Sequence, residues 1–329
     1  MNSQNEATIT TMNEAAINLF EEILEIVDVL KGEVIETKIG SMIIDFGVNT
    51  QGGYLAGEYI SQICMGGLAE VTLTLKEYSP EVILPSITVF TDFPVEATLG
   101  SQFAGWSIKK DNYQAIASGP ARVLADKPKH IFKKIPMDEE IDEAVIVLES
   151  NEIPSDNIIK YIAEKCTIDP ENLYIIVVPT ASIAGSTQIS ARSIETALHK
   201  LFDLGMDVTK IIAASGSAPI SPVYYENYEI MLGRTNDMLI YGSNVFLQVN
   251  TGNEKELLDF CKKAISNKSP NYGSLFYEIV KQAKGDFYKI NPAIFAPAKL
   301  TVNNVKSGKT NSFGNTNIEL IEKSINSLP

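Results

Sequence analysis

Between residues 144 and 214 the sequence alternates short apolar runs with stretches of helical period. That alternation restricts the fold more than any other feature of the chain. Residues 144–148 (AVIVL) and 173–178 (LYIIVV) are too short for buried helices and too uniformly apolar for strands with one face in water. Strands of a parallel sheet have this character, because helices cover both of their faces. The segments between them, 155–165 and 186–204, repeat apolar residues at helical spacing, and 208–214 adds a third strand. The order strand, helix, strand, helix, strand predicts an α/β fold whose sheet is at least partly parallel.

Upstream, Thr11 and Glu14 form a capping box ahead of Ala16, Phe20, Ile23, Leu24, Val27 and Leu30, with Gly32 as a stop. Residues 34–38 and 42–46 flank Gly40-Ser41 as a hairpin. A glycine-heavy stretch, 47–67, encloses a helix over 54–64, and strands follow at 68–75 and 83–90. Pro94 opens a helix that runs to Phe103. Residues 113–117 form a strand ending at Ser118-Gly119-Pro120. Residues 126–143 are charged, contain two prolines and lack a period, which marks a domain boundary or a long surface loop. The expected division of the 329 residues is 1–130, 143–313 carrying the helix at 186–204, and a polar tail, 314–329, with a loose helix. The domains are allowed to be discontinuous.

Composition removes several function classes. Against 41 acidic residues stand 27 basic ones, a net charge of −14, which argues against neutralising nucleic-acid phosphates. No apolar run approaches the ~20 residues that span a bilayer, and residues 1–16 lack a secretory pattern. Three scattered cysteines, Cys64, Cys166 and Cys261, suit a reducing cytoplasm. Only His130 and His199 are available to zinc or to Ser-His and Cys-His chemistry. The expected chemistry therefore relies on carboxylates, Arg, Lys and water.

On the helix at 186–204, Ile194, Leu198 and Leu201 form an apolar face, while Gln188, Arg192, Glu195 and His199 share a polar stripe. Arg192 and Glu195 are either a solvated ion pair or a functional pair. The order Arg before Glu is the poorer one for a helix, and the preceding small-residue loop, 179–185, admits a ligand. Three apparent strand-to-helix turns, at 118–122, 180–186 and 215–218, are either tight turns or anion cradles; the first ends in Arg122. None carries a dinucleotide or P-loop pattern, which disfavours nucleotide-dependent chemistry. Gly233-Arg234-Thr235-Asn236-Asp237 reads as a capped turn or a recognition loop. Cys64 and Met65 read as core. Residues 117–121 (ASGPA) and 214–218 (ASGSA) echo each other, a match that chance explains.

Six phrases in order carry a resemblance: GGYLAGEYISQICMGGLA (52–69), YQAIASGPARVLADKPK (113–129), VPTASIAGSTQISARSIETALHKL (178–201), GSAPISPV (216–223), GRTNDMLIYG (233–242) and FYKINPAIFAPA (287–298). Together they resemble methenyltetrahydromethanopterin cyclohydrolase, a one-carbon enzyme of methanogenic archaea and some methylotrophs, from the first helix to about Phe313. The resemblance implies two α/β domains enclosing a large pocket and a homotrimer. It also implies hydrolysis of a cationic methenyl bridge to a formyl group without metal or organic cofactor. It places the catalytic pair on Arg192 and Glu195. Asn291 departs from the expected acid in FYKINPAIFAPA. Ser118, Gly119, Arg122, Ser215 and Gly216 become candidates for the substrate's phosphate end, and Asn236 and Asp237 for its pterin edge. A non-catalytic pterin carrier on the same fold is the alternative.

Overall fold

The computed structural model describes residues 11–284 and 289–326. In chain order, helix α1 (Met12–Ile26) precedes a hairpin, β1 (Glu33–Glu36) and β2 (Met42–Asp45), and then helix α2 (Tyr54–Cys64). The hairpin β3 (Glu70–Ser79) and β4 (Val82–Thr91) leads into a π-helical segment, Val95–Gln102. Strands β5 (Trp106–Lys110) and β6 (Tyr113–Ser118) follow, with short helices α3 (Ala121–Leu124) and α4 (Lys129–Lys134). The alternating region supplies β7 (Ala144–Glu149), α5 (Asp156–Cys166), β8 (Leu173–Val178), α6 (Ile183–Ser190), α7 (Ser193–Asp203) and β9 (Ile211–Pro219). Then come α8 (Tyr228–Gly242), β10 (Asn244–Val249), α9 (Glu254–Lys263) and α10 (Phe276–Gln282). Strands β11 (Lys299–Asn304) and β12 (Lys309–Gly314) and helix α11 (Ile318–Asn326) complete the described chain.

These elements build two six-stranded sheets, so the expected α/β architecture holds. The first has the order β1-β2-β8-β7-β6-β5, with β2, β8 and β7 mutually parallel. Its apolar runs are buried on both faces. Val145 and Val147 meet Phe20, Ile60 and Ala184 on one side, and Ile146 and Leu148 meet Ile158 and Ile162 on the other. The second sheet has the order β12-β11-β10-β9-β4-β3 and is antiparallel except at β10–β11. Leu198 and Leu201 of α7 and Leu257 of α9 pack into one core on this sheet, and Val82 and Leu84 of β4 are buried in another with Met238 and Tyr241 of α8.

Several expectations change on contact with the fold. Residues 126–143 connect β6 to β7, which are hydrogen-bonded neighbours, and each sheet draws strands from both sides of that stretch. Glu139 from this segment accepts hydrogen bonds from the backbone N–H of Met12 (2.8 Å) and Asn13 (3.2 Å), capping α1. The tail helix is not loose. Ile321 of α11 is fully buried against Met238, Tyr241 and Phe276. The single long helix expected over 186–204 is two helices that meet at Ala191-Arg192. Close approach of α6 to α2 depends on Gly57, where a Cβ would lie 2.4 Å from that of Thr187.

Candidate active site

The break between α6 and α7 builds the site. The Arg192 N–H donates to the carbonyl of Ile189 (3.0 Å), a tight turn that ends α6, and the Arg192 carbonyl accepts from Thr196 N–H (2.9 Å) to begin α7. Gln102, the last residue of the π-helix, donates its amide to the freed carbonyl of Ala191 (3.3 Å). In return the Gln102 carbonyl accepts from Arg192 Nη1 at 2.6 Å. Arg192 Nη2 donates to Ser118 Oγ (3.1 Å) and Gln188 Oε1 (2.9 Å), and Nε to the same Gln188 oxygen (3.2 Å). Three separate elements thus clamp one buried guanidinium.

Glu195 follows at the third position of α7, inside its first turn, where the positive end of the helix favours a carboxylate. The side chain is 8% exposed and lines a cavity of about 340 Å³. Among the described residues nothing hydrogen-bonds its carboxylate, and the ion pair expected with Arg192 does not form, because the guanidinium points to Gln102, Ser118 and Gln188. Burial pushes the Glu195 carboxyl up to about 7, while the nearby charges of Arg192 and Arg122 hold it lower than burial alone would. A buried, unpaired carboxyl that titrates near neutrality is suited to proton transfer.

The expected phosphate residues fall elsewhere. Arg122 is fully buried and donates to the carbonyls of Leu99 (3.3 Å), Gly100 (3.0 Å) and Ser101 (2.8 Å), at the end of the π-helix. It has no exposed face for an anion; burial lowers its pKa to about 9. Ser118 and Gly119 belong to the same scaffold, Ser118 by holding Arg192 and Gly119 by donating its N–H to Ser101 (2.9 Å) at a φ of +98°. Ser215 and Gly216 are not in a turn. They lie in the middle of β9, Ser215 between Phe90 and Phe246 and Gly216 between Val89 and Val245. A Cβ on Gly216 would sit 2.4 Å from Ser193 Oγ, so this glycine lets α7 rest on the sheet.

The presumed recognition loop is helical: residues 233–237 lie within α8. Asn236 lines the cavity, but Asp237 faces the opposite way. Its carboxylate accepts from Phe276 N–H (2.9 Å) and Ser324 Oγ (2.7 Å), tying α8 to α10 and α11. The cavity also exposes His199, the last member of the polar stripe, and groups that sequence reasoning assigned no part. Phe103 stacks on His199 with ring centroids 4.3 Å apart, and Asp203 lies 3.7 Å from the imidazole. Burial chiefly depresses the basicity of His199, against the opposing charge of Asp203. Glu149, the last residue of β7, lines the far wall with Tyr228. A charge ending an apolar parallel strand was the available signal, since ligands gather at such strand ends. Among the described residues no cluster of three His, Cys, Asp or Glu side chains is arranged to hold a metal ion.

Comparison with known proteins points to one family. Residues 11–325 match the family described as Cyclohydrolase (MCH). A methenyltetrahydromethanopterin cyclohydrolase of Methanosphaerula palustris is 44% identical, covering 97% of this chain and 99% of that protein. Proteins of the same name from Methanococcoides burtonii and Methanococcus maripaludis are 42% and 39% identical, covering 93% and 96% of this chain and 95% and 98% of their own lengths. Nearly end-to-end similarity of this order shows that the chain belongs to the methenyltetrahydromethanopterin cyclohydrolase family of enzymes.

Proposed function

We propose that this chain hydrolyses 5,10-methenyltetrahydromethanopterin to the 5-formyl compound, reversibly, with Glu195 as the proton-transferring group. The observation that carries this reading is a cavity-facing carboxyl without a hydrogen-bond partner, held beside a guanidinium that is itself immobilised. The bridge carbon lies between two nitrogens that share a positive charge, so it needs only a nucleophile. Glu195 accepts a proton from water as the oxygen bonds to that carbon. It then returns the proton to the departing nitrogen as the carbon–nitrogen bond breaks, and the new hydroxyl loses its proton to leave the formyl group. The net result is one water consumed and one proton released. The negative carboxylate also attracts the cationic substrate.

Arg192 acts through its charge and by fixing the start of α7; its donors are occupied by Gln102, Ser118 and Gln188. The family likeness further supports a cytoplasmic homotrimer serving one-carbon metabolism and methanogenesis. Purified protein mixed with the methenyl pterin should bleach its near-ultraviolet absorbance and yield the formyl product. Binding without product would mean a carrier. Glu195→Gln should slow turnover by roughly 100- to 10,000-fold, and a near-native rate would remove Glu195 from the mechanism. Light scattering that returned a monomer mass would refute the trimer.

A further inference from the structure

Glu149 ends β7 where the parallel part of the first sheet divides. The helix after β7, α5, packs on one face through Ile158 and Ile162, while the helix after β8, α6, packs on the other through Ala184. A crevice opens at such a point, beyond the carboxyl ends of the two strands. The Glu149 side chain faces that crevice and lines the same cavity as Glu195. Its Oε1 accepts from Thr180 Oγ1, at the start of the loop after β8, which fixes the carboxylate while leaving acceptor capacity free.

The registers place Glu149 relative to the arginine clamp. Ser118, which holds Arg192, pairs with Val147, and Ile116, which lines the cavity, pairs with Glu149. Glu149 is therefore two residues along β7 from the position opposite the arginine clamp, on the same face of the strand. The pyrimidine edge of a pterin lies across its two fused rings from the reacting bridge. The edge presents two adjacent donors, an amino group and a ring N–H, which a carboxylate accepts side by side. The other carboxylates lining the cavity are engaged, Asp203 against His199 and Glu195 in the proposed proton transfer, and Asp237 does not line it.

We infer that Glu149 binds the amino and N–H donors of the pterin edge, the role first assigned to Asn236 and Asp237, and so determines specificity for a 2-amino-4-oxo ring. This rests on the proposed pterin substrate. The experiment compares wild type with Glu149→Gln, which preserves the acceptor for Thr180 and removes the charge. Both are assayed on the methenyl pterin and titrated with 6-methylpterin and with its lumazine counterpart, in which a carbonyl replaces the amino group. The expected result is a KM raised at least about tenfold, a much smaller change in kcat, and loss of the wild-type preference for pterin over lumazine. An unchanged KM overturns the inference, and so does a raised KM with the preference intact, because a merely structural role would leave the preference in place. Wild type that fails to turn over the methenyl pterin, yet prefers pterin to lumazine through Glu149, would refute the catalytic reading alone.

Discussion

Glu195→Gln should make the folded protein more stable in mild alkali while destroying its activity. The Glu195 carboxyl titrates near 7 in the folded chain against 4.5 for the free side chain. Between those values the folded state binds more protons than the unfolded one, so stability falls as pH rises through the window and is level on either side of it. Each pH unit corresponds to about 1.4 kcal/mol, which gives about 3 kcal/mol for the whole interval. Glutamine has similar shape and no charge, so it escapes that cost. The variant should match wild type near pH 4.5 and exceed it by about 3 kcal/mol at pH 8, or roughly 5 °C in melting temperature for a chain of this size. Urea unfolding followed by circular dichroism at both pH values measures the difference, and every other titrating group cancels between the two proteins. A variant no more stable relative to wild type at pH 8 than at pH 4.5 would show that the carboxyl is not held ionised in a buried site.

The same titration predicts the rate profile: kcat/KM should fall about tenfold per pH unit below about 7, and Arg192→Gln should move that limb to higher pH, because Arg192 is the foremost charge opposing the burial. A limb that stays in place removes the electrostatic role of Arg192. Gly216→Ala puts a Cβ against Ser193 Oγ and Ile194 Cγ1, at 2.4 and 2.8 Å. It should cost about 1–3 kcal/mol and lower kcat by displacing the start of α7; a normal melting temperature with normal turnover would refute the close-approach argument. Asp237, pushed up to about 7 by burial, should behave like Glu195 in stability but not in activity. Asp237→Asn is expected to gain stability above pH 7 relative to pH 4 with turnover within about twofold of wild type, and a large rise in KM would return Asp237 to the substrate.

The sheet-forming half of the fold was legible because its signals are local. A run such as AVIVL is buried on both faces wherever it lies, and the capping box at Thr11 requires only its own helix, where Thr11 Oγ1 accepts from Glu14 N–H at 3.1 Å. What misled were small and polar residues placed by distant partners. ASGPA and ASGSA read alike, yet the first leaves β6 into a tight turn and the second lies inside β9, where small side chains admit α7. GRTND resembles a turn because its residues hydrogen-bond locally in short peptides. In α8 Thr235 and Asn236 donate to the carbonyls of Met231 and Leu232 one turn back, while tertiary partners take up Arg234, at the Ser324 carbonyl, and Asp237, at Phe276 N–H and Ser324 Oγ. The break at Ala191-Arg192 has no Gly or Pro to announce it. It depends on Gln102, ninety residues away.

That break also explains why the pair readable in the sequence is not an ion pair. On one continuous helix, residues 192 and 195 would be neighbours, and contact would stabilise the ionised carboxyl, lowering its affinity for the proton that it takes from water in the proposed reaction. Burial without any cation would do the opposite and keep the carboxyl protonated. The structure lies between these limits. Gln188, Gln102 and Ser118 occupy the guanidinium of Arg192, and the carbonyls of residues 99–101 occupy that of Arg122, so both charges reach Glu195 only across a gap. A carboxyl near 7 results, with its oxygens free for water. The buried polar residues around the π-helix therefore tune the Glu195 carboxyl, the base of the proposed reaction, although none of them needs to touch the substrate.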